Sequence, residues 1–235
     1  MMTSEPKITL LLVDDHAMIR EGYRSLLKKQ ARLEVITEAS DGAEAYQRFK
    51  DMHPDVVIMD LSLPKQGGIE TITRIKQREP LAKILVFSMH QNPIFALQAL
   101  NAGTLGYVTK NSAPEILLQA IYEVYAGRHY LSPDMAQALA LEKSGYQHTA
   151  LKSLSTREFE IFRMLAESRS KEEIARALNL SQKTVSNCHY LIKSKLNVSS
   201  DIELIYLAIR MKVINFSELS GSETELLEPT HKITH

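Results

Sequence analysis

Between residues 8 and 126, short apolar runs alternate with longer amphipathic stretches, and this alternation most constrains the fold. The runs 8–13, 35–39, 56–59, 84–87 and 107–109 are predicted strands. The third and fourth are apolar throughout, which is typical of parallel strands covered by helices on both faces. Apolar residues recur at helical spacing in 19–30, 43–52, 69–77, 94–102 and 115–125. The pattern predicts an α/β domain with a five-stranded, doubly wound parallel sheet.

Polar side chains follow four of these strands at the point where each strand ends. Asp14 and Asp15 follow the first strand, Asp60 the third, Ser88 the fourth and Lys110 the fifth. Because the carboxyl ends of parallel strands share one edge of the sheet, we expect these side chains to converge. Three carboxylates suit Mg²⁺, and an aspartate can accept a phosphoryl group. The Ser88 hydroxyl and Lys110 ammonium can bind phosphoryl oxygens during transfer.

The strand-end residues could also be structural caps or part of a phosphatase site. A lone aspartate after a strand is more often a turn or helix cap, but caps give no reason for a strand-end lysine. A Mg²⁺-dependent phosphatase would also use strand-end aspartates. The haloacid dehalogenase type needs a second aspartate two residues after the nucleophile, where this chain has Ser62 after Asp60. We therefore predict that the chain is not an enzyme.

The composition and the N-terminus bear on where the chain resides. With 44% hydrophobic and 24% charged residues, the chain can bury cores and is not of the disordered class. No apolar run approaches the roughly 18 residues of a membrane helix. The apolar run 8–13 is too short for a signal-peptide core, and the single Cys188 cannot form an internal disulfide. We expect a cytoplasmic protein with no membrane segment.

Residues 151–216 form a second module, which is helical and positively charged. The module carries 11 basic and 7 acidic residues. Helix starts of the form Ser-x-x-Glu occur at Ser155, Ser170 and Ser200, and the last helix of the first domain has a similar pattern at Ser112. Between 181 and 200 the only charged residues are lysines: Lys183, Lys193 and Lys195. A small positive module predicts an anionic partner.

Two helical stretches within this module, 170–178 and 184–196, are joined by a tight turn, as in a helix-turn-helix. Val185, Ile192 and Leu196 should turn inward, leaving the DNA-binding candidates outward: Lys183, Thr184, Ser186, Asn187, Tyr190 and Lys193. Ser and Asn suit base edges, whereas Lys and Thr suit phosphates. The spacing alone also fits a protein-binding helical bundle, and the lysines favour DNA.

The first domain resembles the receiver domain of response regulators, whose fold is flavodoxin-like. The resemblance rests on spacings of 45, 28 and 22 residues from Asp15 through Asp60 and Ser88 to Lys110. It also rests on four motifs: Asp14-Asp15-His16, Asp60-Leu-Ser62-Leu-Pro64 with Gly68, Phe87-Ser88-Met89, and Tyr107-Val-Thr-Lys110. The resemblance implies that a sensor histidine kinase phosphorylates Asp60, and that Ser88 and Tyr107 shift on activation. It also implies that Asp14, Asp15, Asp60 and the Ser62 carbonyl bind Mg²⁺.

The second module resembles the LuxR-type effector of the NarL/FixJ response regulators. The matching stretches are Leu154-Ser-Thr-Arg-Glu158, Glu173-Ile-Ala175, Leu180-Ser-Gln-Lys-Thr-Val185 and Lys195-Leu196. Residues 131–136, 200–204 and 207–210 look most like the GacA/UvrY branch. Cys188 departs from the family, which often has histidine there, and we interpret the thiol as a packing group.

The resemblances divide the chain into a receiver (5–127), a linker (128–151), a helix-turn-helix DNA-binding domain (152–216) and a disordered tail (217–235). They imply a response regulator that, once phosphorylated, binds double-stranded DNA as a homodimer and regulates transcription. They further suggest that the unphosphorylated receiver covers the recognition helix. The apolar stripe Ile202, Ile205, Ile209 could serve a dimer contact or packing within the monomer.

Overall fold

A computed structural model describes residues 6–64, 67–144 and 149–214. Strands and helices alternate in its first part: β1 (Ile8–Val13), α1 (Ala17–Lys28), β2 (Leu33–Ala39), α2 (Gly42–Met52), β3 (Val56–Met59), α3 (Gly68–Arg78), β4 (Ile84–Ser88), α4 (Pro93–Asn101), β5 (Gly106–Thr109) and α5 (Pro114–Tyr125). A short strand and six helices follow: β6 (Tyr130–Leu131), α6 (Pro133–Ser144), α7 (Thr149–Lys152), α8 (Thr156–Ala166), α9 (Lys171–Ala177), α10 (Gln182–Leu196) and α11 (Asp201–Arg210). The predicted disordered tail, 217–235, lies outside the described residues.

The strands form one parallel sheet in the order β2-β1-β3-β4-β5-β6. Every residue of β3 and β4 is buried, as continuously apolar strands require when helices cover both faces. The predicted doubly wound α/β fold is confirmed. The order reverses direction beside β1, so the carboxyl ends of β1 and β3 border a crevice.

The sheet has six strands, whereas the sequence predicts five. The additional strand, β6, lies in the segment predicted as a linker and pairs in parallel with β5. A two-residue strand has too short an apolar run to be distinguished from a loop by periodicity. The segment predicted as a linker also contains helix α6.

The predicted capping box at the start of α5 is wrong. The helix begins at Pro114 and its N-cap residue is Ala113, which makes no side-chain cap. The Ser112 hydroxyl instead lies 3.0 Å from the hydroxyl of Thr109. Proline fits the first turn because it has no amide proton to leave unpaired, so this start needs no serine cap.

All three predicted serines of the helical module cap their helices, at the starts of α8, α9 and α11: Ser155, Ser170 and Ser200. At the first two, the glutamate three residues later also bonds back to the serine amide. At the third, the Glu203 carboxylate binds the amide of Ser199 instead. Helices α9 and α10 pack together as in a helix-turn-helix, with Ile174, Ala175, Leu178 and Val185 all buried.

The helical module packs against α3 and α4 of the α/β domain through α8 and the end of α11. The rings of Phe159 and Phe95 meet edge-on with centroids 5.4 Å apart. Arg157 donates two hydrogen bonds, of 2.9 and 3.1 Å, to the carboxylate of Glu70. Asn92 donates to the carbonyl of Met211 at 2.6 Å. Within the described residues, no helix combines the length and apolarity needed to cross a membrane.

Candidate functional site

The carboxyl ends of β1 and β3 bring two aspartates to the same edge of the sheet. Val13 pairs with Met59, and the Asp60 amide donates to the Val13 carbonyl at 3.0 Å. This register places Asp14 and Asp60 side by side, each directly after its strand. Both residues are only 2% exposed. Two buried carboxylates repel each other, so the site depends on nearby positive charge.

Lys110 supplies that charge from the end of β5. Its Nζ lies 2.5 Å from Oδ2 of Asp14 and 2.6 Å from Oδ2 of Asp60, and its side chain is 3% exposed. Burial alone would lower the pKa of Lys110, but the charge of Asp60 and the hydrogen bonds to Asp14 and Asp60 raise it. Lys110 therefore remains an ammonium group and holds the two carboxylates together.

Asp15 and His16 complete the acidic edge and offer further ligands. Nδ1 of His16 lies 2.7 Å from Oδ1 of Asp15, and one ligand atom from each of Asp14, Asp15 and His16 falls within a 4.8 Å cluster. Three carboxylates with one ammonium, Lys110, leave a net charge of about −2. Oxygen donors with this charge fit a hard divalent cation such as Mg²⁺.

The loop after Asp60 passes over the site and depends on a glycine. The Ser62 amide donates to Oδ1 of Asp60 at 3.3 Å. A Cβ at Gly68 would lie 2.2 Å from the Asp60 carbonyl oxygen, so only glycine lets α3 begin this close to the loop. The sequence shows Gly68 as part of a motif, and the structure supplies the steric reason for it.

Ser88 ends β4 and Tyr107 lies within β5, and both contact His90. The Ser88 hydroxyl accepts from the His90 amide at 3.4 Å. The hydroxyl of Tyr107, a fully buried residue, donates to the His90 carbonyl at 2.8 Å. Burial raises the pKa of Tyr107. The two predicted switch residues therefore meet at the backbone of one residue.

His90 is a site residue that the sequence reasoning missed. Its Nε2 lies 3.1 Å from the Ser62 hydroxyl, and its ring stacks on Phe95 with centroids 3.9 Å apart. Burial, followed by the nearby charge of Arg163, lowers its pKa to about 4, so the ring is neutral near pH 7. The only signal in the sequence was its place two residues after Ser88.

A cleft of about 370 Å³ opens over the site between the two parts of the chain. Asp15, Ser62 and His90 line it on the α/β side, and Arg163 and Arg169 on the helical side. The acidic edge at Asp15 is therefore open to solvent beside α8.

The helix-turn-helix presents most of its candidate DNA contacts to solvent. Val185, Ile192 and Leu196 turn inward as predicted. Lys183, Thr184, Asn187 and Tyr190 are exposed, Tyr190 by 74%, and Ser186 and Lys193 are half-buried. The turn before α10 places Asn179 at φ 53°, a left-handed conformation that asparagine tolerates.

Two lysines that the sequence left without acidic partners have them in the structure. Nζ of Lys193 lies 3.1 Å from Oδ1 of Asp201, at the start of α11. Nζ of Lys195 lies 2.7 Å from Oε2 of Glu158. Both acids are distant in sequence or belong to another helix, so a local charge count could not reveal these pairs. The positive potential of α10 is smaller than the sequence implies.

The expectation that the receiver covers the recognition helix is also wrong for this arrangement. The α/β domain contacts α8, at Phe159 and Arg157, and the outward face of α10 is open. The exposed side of α10 includes Tyr190 and Leu191, which the receiver leaves uncovered. The contacts with α3 and α4 are made instead by Phe159 and Arg157 of α8.

Comparisons with known proteins agree with both parts of the chain. Residues 10–122 match the response regulator receiver domain, and residues 152–208 match the family of bacterial regulatory proteins called the luxR family. Response regulator UvrY of Escherichia coli is 39% identical over 217 residues, which cover 91% of this chain and 99% of UvrY. The chain belongs to the LuxR-type response regulators. Response regulator GacA of Pseudomonas aeruginosa is 36% identical over 88% of this chain and 98% of GacA.

Solved structures of other response regulators resemble this one. RcsB from Salmonella enterica serovar Typhimurium, bound to promoter rprA in the presence of the phosphomimetic BeF₃⁻, matches with a TM-score of 0.70 and 29% identity. That match covers 86% of this response regulator and 98% of the RcsB chain. A LuxR-family response regulator from Aurantimonas is 47% identical over 59% of this chain and 99% of its own, with a TM-score of 0.58. The family is one of transcription regulators and not of enzymes, as predicted.

Cys188 of this response regulator lies on α10 and packs against the hydrophobic core. Burial raises the pKa of its thiol, and the charge of Glu158 acts in the same direction. A protonated, partly buried thiol is a weak nucleophile. The contacts therefore support a packing role, and the change from the family's histidine leaves α10 intact.

Proposed function

We propose that a sensor histidine kinase phosphorylates this response regulator on Asp60, and that the phosphorylated chain binds double-stranded DNA as a homodimer to regulate transcription. The observation that carries the proposal is the buried cluster of Asp14, Asp60 and Lys110, with its hydrogen bonds of 2.5 and 2.6 Å. A buried carboxylate that already bonds to an ammonium is a site where added phosphoryl charge can be neutralised.

In the proposed reaction an Asp60 oxygen forms the bond to phosphorus while the bond from phosphorus to the kinase's histidine nitrogen breaks. Asp14, Asp15, Asp60 and the Ser62 carbonyl would hold Mg²⁺, which would neutralise phosphoryl charge when bound. Lys110 then releases the Asp60 carboxylate and binds a phosphoryl oxygen, because its ammonium is already 2.6 Å from Oδ2. The Ser88 hydroxyl, at the end of the adjacent strand β4, is proposed as the second donor.

Activation in this proposal acts on domain arrangement and dimerisation rather than by uncovering α10. The exposed recognition face supports this, since DNA can approach it without moving the receiver. Helix α11 supports a dimer contact, because Ile202 is 80% exposed and Tyr206 is 67% exposed on its outer face. Ile205 and Ile209 are partly buried against the monomer's own core, so only part of the predicted stripe is available to a second copy.

The proposed division of the chain keeps the predicted boundaries: receiver 5–127, linker 128–151, DNA-binding domain 152–216 and tail 217–235. The family matches over 10–122 and 152–208 support the first and third of these. Within the DNA-binding domain, Ser186 and Asn187 are proposed to contact bases. Lys183, Thr184 and Lys193 are proposed to contact phosphates. Tyr190 is proposed to contact DNA as well, without an assignment to bases or phosphates.

The phosphorylation test is intact-mass measurement after incubation with acetyl phosphate and Mg²⁺. Wild type is expected to gain one phosphoryl group, and Asp60→Asn to gain none. The control is Asp51→Asn, which removes an exposed carboxylate on α2 and should label like wild type. A phosphoryl group that survives in Asp60→Asn would refute the assignment of the acceptor.

The DNA test is selection of bound duplexes from a random pool, with and without acetyl phosphate, followed by titration of the recovered sequence. We expect tighter binding after phosphorylation, together with a dimer by analytical ultracentrifugation. A chain that recovers no preferred sequence in either condition would instead support the alternative of a protein-binding bundle.

A further inference from the structure

The linker of this response regulator is hydrogen-bonded to the strand that carries the proposed switch. Strand β6 pairs in parallel with β5, placing Tyr130 opposite Gly106 and Leu131 opposite Tyr107. The Ser132 amide donates to the Tyr107 carbonyl at 2.9 Å. A Cβ at Gly106 would lie 3.0 Å from the Tyr130 carbonyl oxygen, so this approach requires a glycine or a shift of the strand. The start of the linker is therefore an extension of the receiver sheet.

A side-chain bond fixes the next part of the linker to the same strand. The Thr109 hydroxyl, on a residue only 1% exposed, donates to Oδ2 of Asp134 at 2.7 Å. Asp134 is the second residue of α6, so the bond holds the start of this helix against β5. A hydrogen bond to a carboxylate is stronger than one between neutral groups.

Thr109 is also next to the phosphorylation pocket. The following residue is Lys110, whose ammonium bonds to Asp60, and Thr109 pairs with Ser88 across β4 and β5. A contact path of Asp134, Thr109, Lys110 and Asp60 thus joins the linker to the proposed phosphoacceptor. Tyr107 lies between the two ends on the same strand: burial raises its pKa, and the nearby charges of Asp60 and Asp134 act in the same direction.

We propose that Asp134 is a positioning residue that holds the linker on β5 in the unphosphorylated chain, and that phosphorylation of Asp60 weakens this contact and frees the linker. The inference rests on the proposed phosphorylation of Asp60. A phosphoryl group adds negative charge at one end of the path and draws Lys110 away, while Asp134 is an anion at the other end. Buried Met135 also holds α6 on the receiver, so losing the bond at exposed Asp134 shifts the docking equilibrium of the linker without abolishing it.

The test compares four variants of the full chain with wild type. Asp134→Ala removes the acceptor and Thr109→Val removes the donor, whereas Thr109→Ser keeps the hydroxyl. Gln137→Ala is the control, because it changes an exposed residue on the same helix. Each protein is titrated with the duplex selected by phosphorylated wild type, before and after acetyl phosphate. Labelling by intact mass verifies that the pocket of each variant is folded.

The expected result is a loss of regulation with labelling intact. Unphosphorylated Asp134→Ala and Thr109→Val should bind the duplex about fivefold more tightly than unphosphorylated wild type, and should gain correspondingly less on phosphorylation. Thr109→Ser and Gln137→Ala should behave like wild type. If the two disruptive variants keep the full gain on phosphorylation, the proposal is overturned, because Asp134 would then be a packing contact alone.

Hydrogen exchange gives a direct measure of the contact. Phosphorylation of wild type should speed exchange at the Tyr130 and Ser132 amides, whereas in Asp134→Ala these amides should exchange fast in both states. Unchanged protection in phosphorylated wild type would refute the release of the linker while leaving the proposed phosphorylation intact. A wild type that gains no DNA affinity on phosphorylation would refute the proposed function and this inference together.

Discussion

Replacing Lys110 by methionine tests whether the acidic pocket is held together by this one ammonium. Methionine keeps roughly the length of the lysine side chain and removes its charge. The variant leaves Asp14 and Asp60, each 2% exposed, facing each other with neither of their 2.5 and 2.6 Å bonds to the amine. We expect the receiver to be destabilised in the absence of a divalent cation.

The expected magnitude follows from the burial of all three groups. Removing one partner of a buried ion pair typically costs about 3–5 kcal/mol, because the remaining charge is left without compensation. For a chain of this size about 1 kcal/mol corresponds to roughly 2–4 °C in Tm, so the loss should be roughly 6–20 °C. The matched control is Lys28→Met, at an exposed position on α1, which should change Tm little.

Thermal melts followed by circular dichroism, in EDTA and in millimolar Mg²⁺, measure the effect. Without Lys110 the three carboxylates carry about −3 rather than −2, so Mg²⁺ should raise the Tm of the variant more than that of wild type. The rise should also be larger than in Lys28→Met. The buffers contain no fluoride and no divalent ion other than Mg²⁺, so that the difference in Tm from the EDTA sample is due to Mg²⁺ alone.

The Tm difference between wild type and Lys110→Met should change with pH in a defined direction. The pKa of Lys110 is raised in the folded chain above its ordinary 10.5, so its stabilisation is fully present below that value. The stabilisation is lost as pH rises through the raised pKa, and the Tm gap between wild type and Lys110→Met should close there. If Lys110→Met has the same Tm as wild type in EDTA near neutral pH, the stability of the pocket does not depend on Lys110.

The remaining predictions concern the DNA-binding domain and its contact with the receiver. Asn187→Ala should cost about 1–3 kcal/mol on the selected duplex and relax its preference over random DNA, and an equal loss on both would show that Asn187 is not a reading residue. Lys193→Ala should weaken both duplexes alike, but with a change in log–log salt slope below the roughly 1 of a free lysine, because Asp201 already holds its amine at 3.1 Å. A change in salt slope of about 1 would mean that the Lys193–Asp201 pair opens in solution. Arg157→Ala should loosen the contact between the two domains by about 1–2 kcal/mol, because Glu70 is buried while Arg157 is 36% exposed. Proteolysis of the linker should then be faster than in wild type. An unchanged rate would show that the Arg157–Glu70 pair does not hold the domains together.

Sequence pattern predicted those parts of the fold that depend on neighbours along the chain. The runs 8–13 and 56–59 match β1 and β3 residue for residue. Apolar runs and strand-end residues are local signals, and the parallel topology converts them into spatial proximity without further information. This is why Asp14, Asp60 and Lys110 could be placed together before their contacts were known.

Features that depend on the packing of distant segments could not be predicted in this way. The pairs Lys193–Asp201 and Lys195–Glu158 join different helices, and no charge count within 181–200 contains their acids. Strand β6 exists because β5 offers an open edge, which two residues can extend whatever their own propensity. The receiver's contact with α8 likewise joins distant segments, since Phe95 and Glu70 meet Phe159 and Arg157.

Helix α4 connects the contacts through which the receiver can influence the rest of the chain. Its N-cap, Asn92, accepts from the Ile94 amide at 3.0 Å and donates to the Met211 carbonyl at 2.6 Å. Phe95 stacks on His90, beside the pocket, and meets Phe159 of α8 edge-on. Helix α4 also packs against α6, the helix that Asp134 anchors. Because α4 is shared by the contacts with α8 and α6, their energies are not expected to be additive and should not be summed as independent terms.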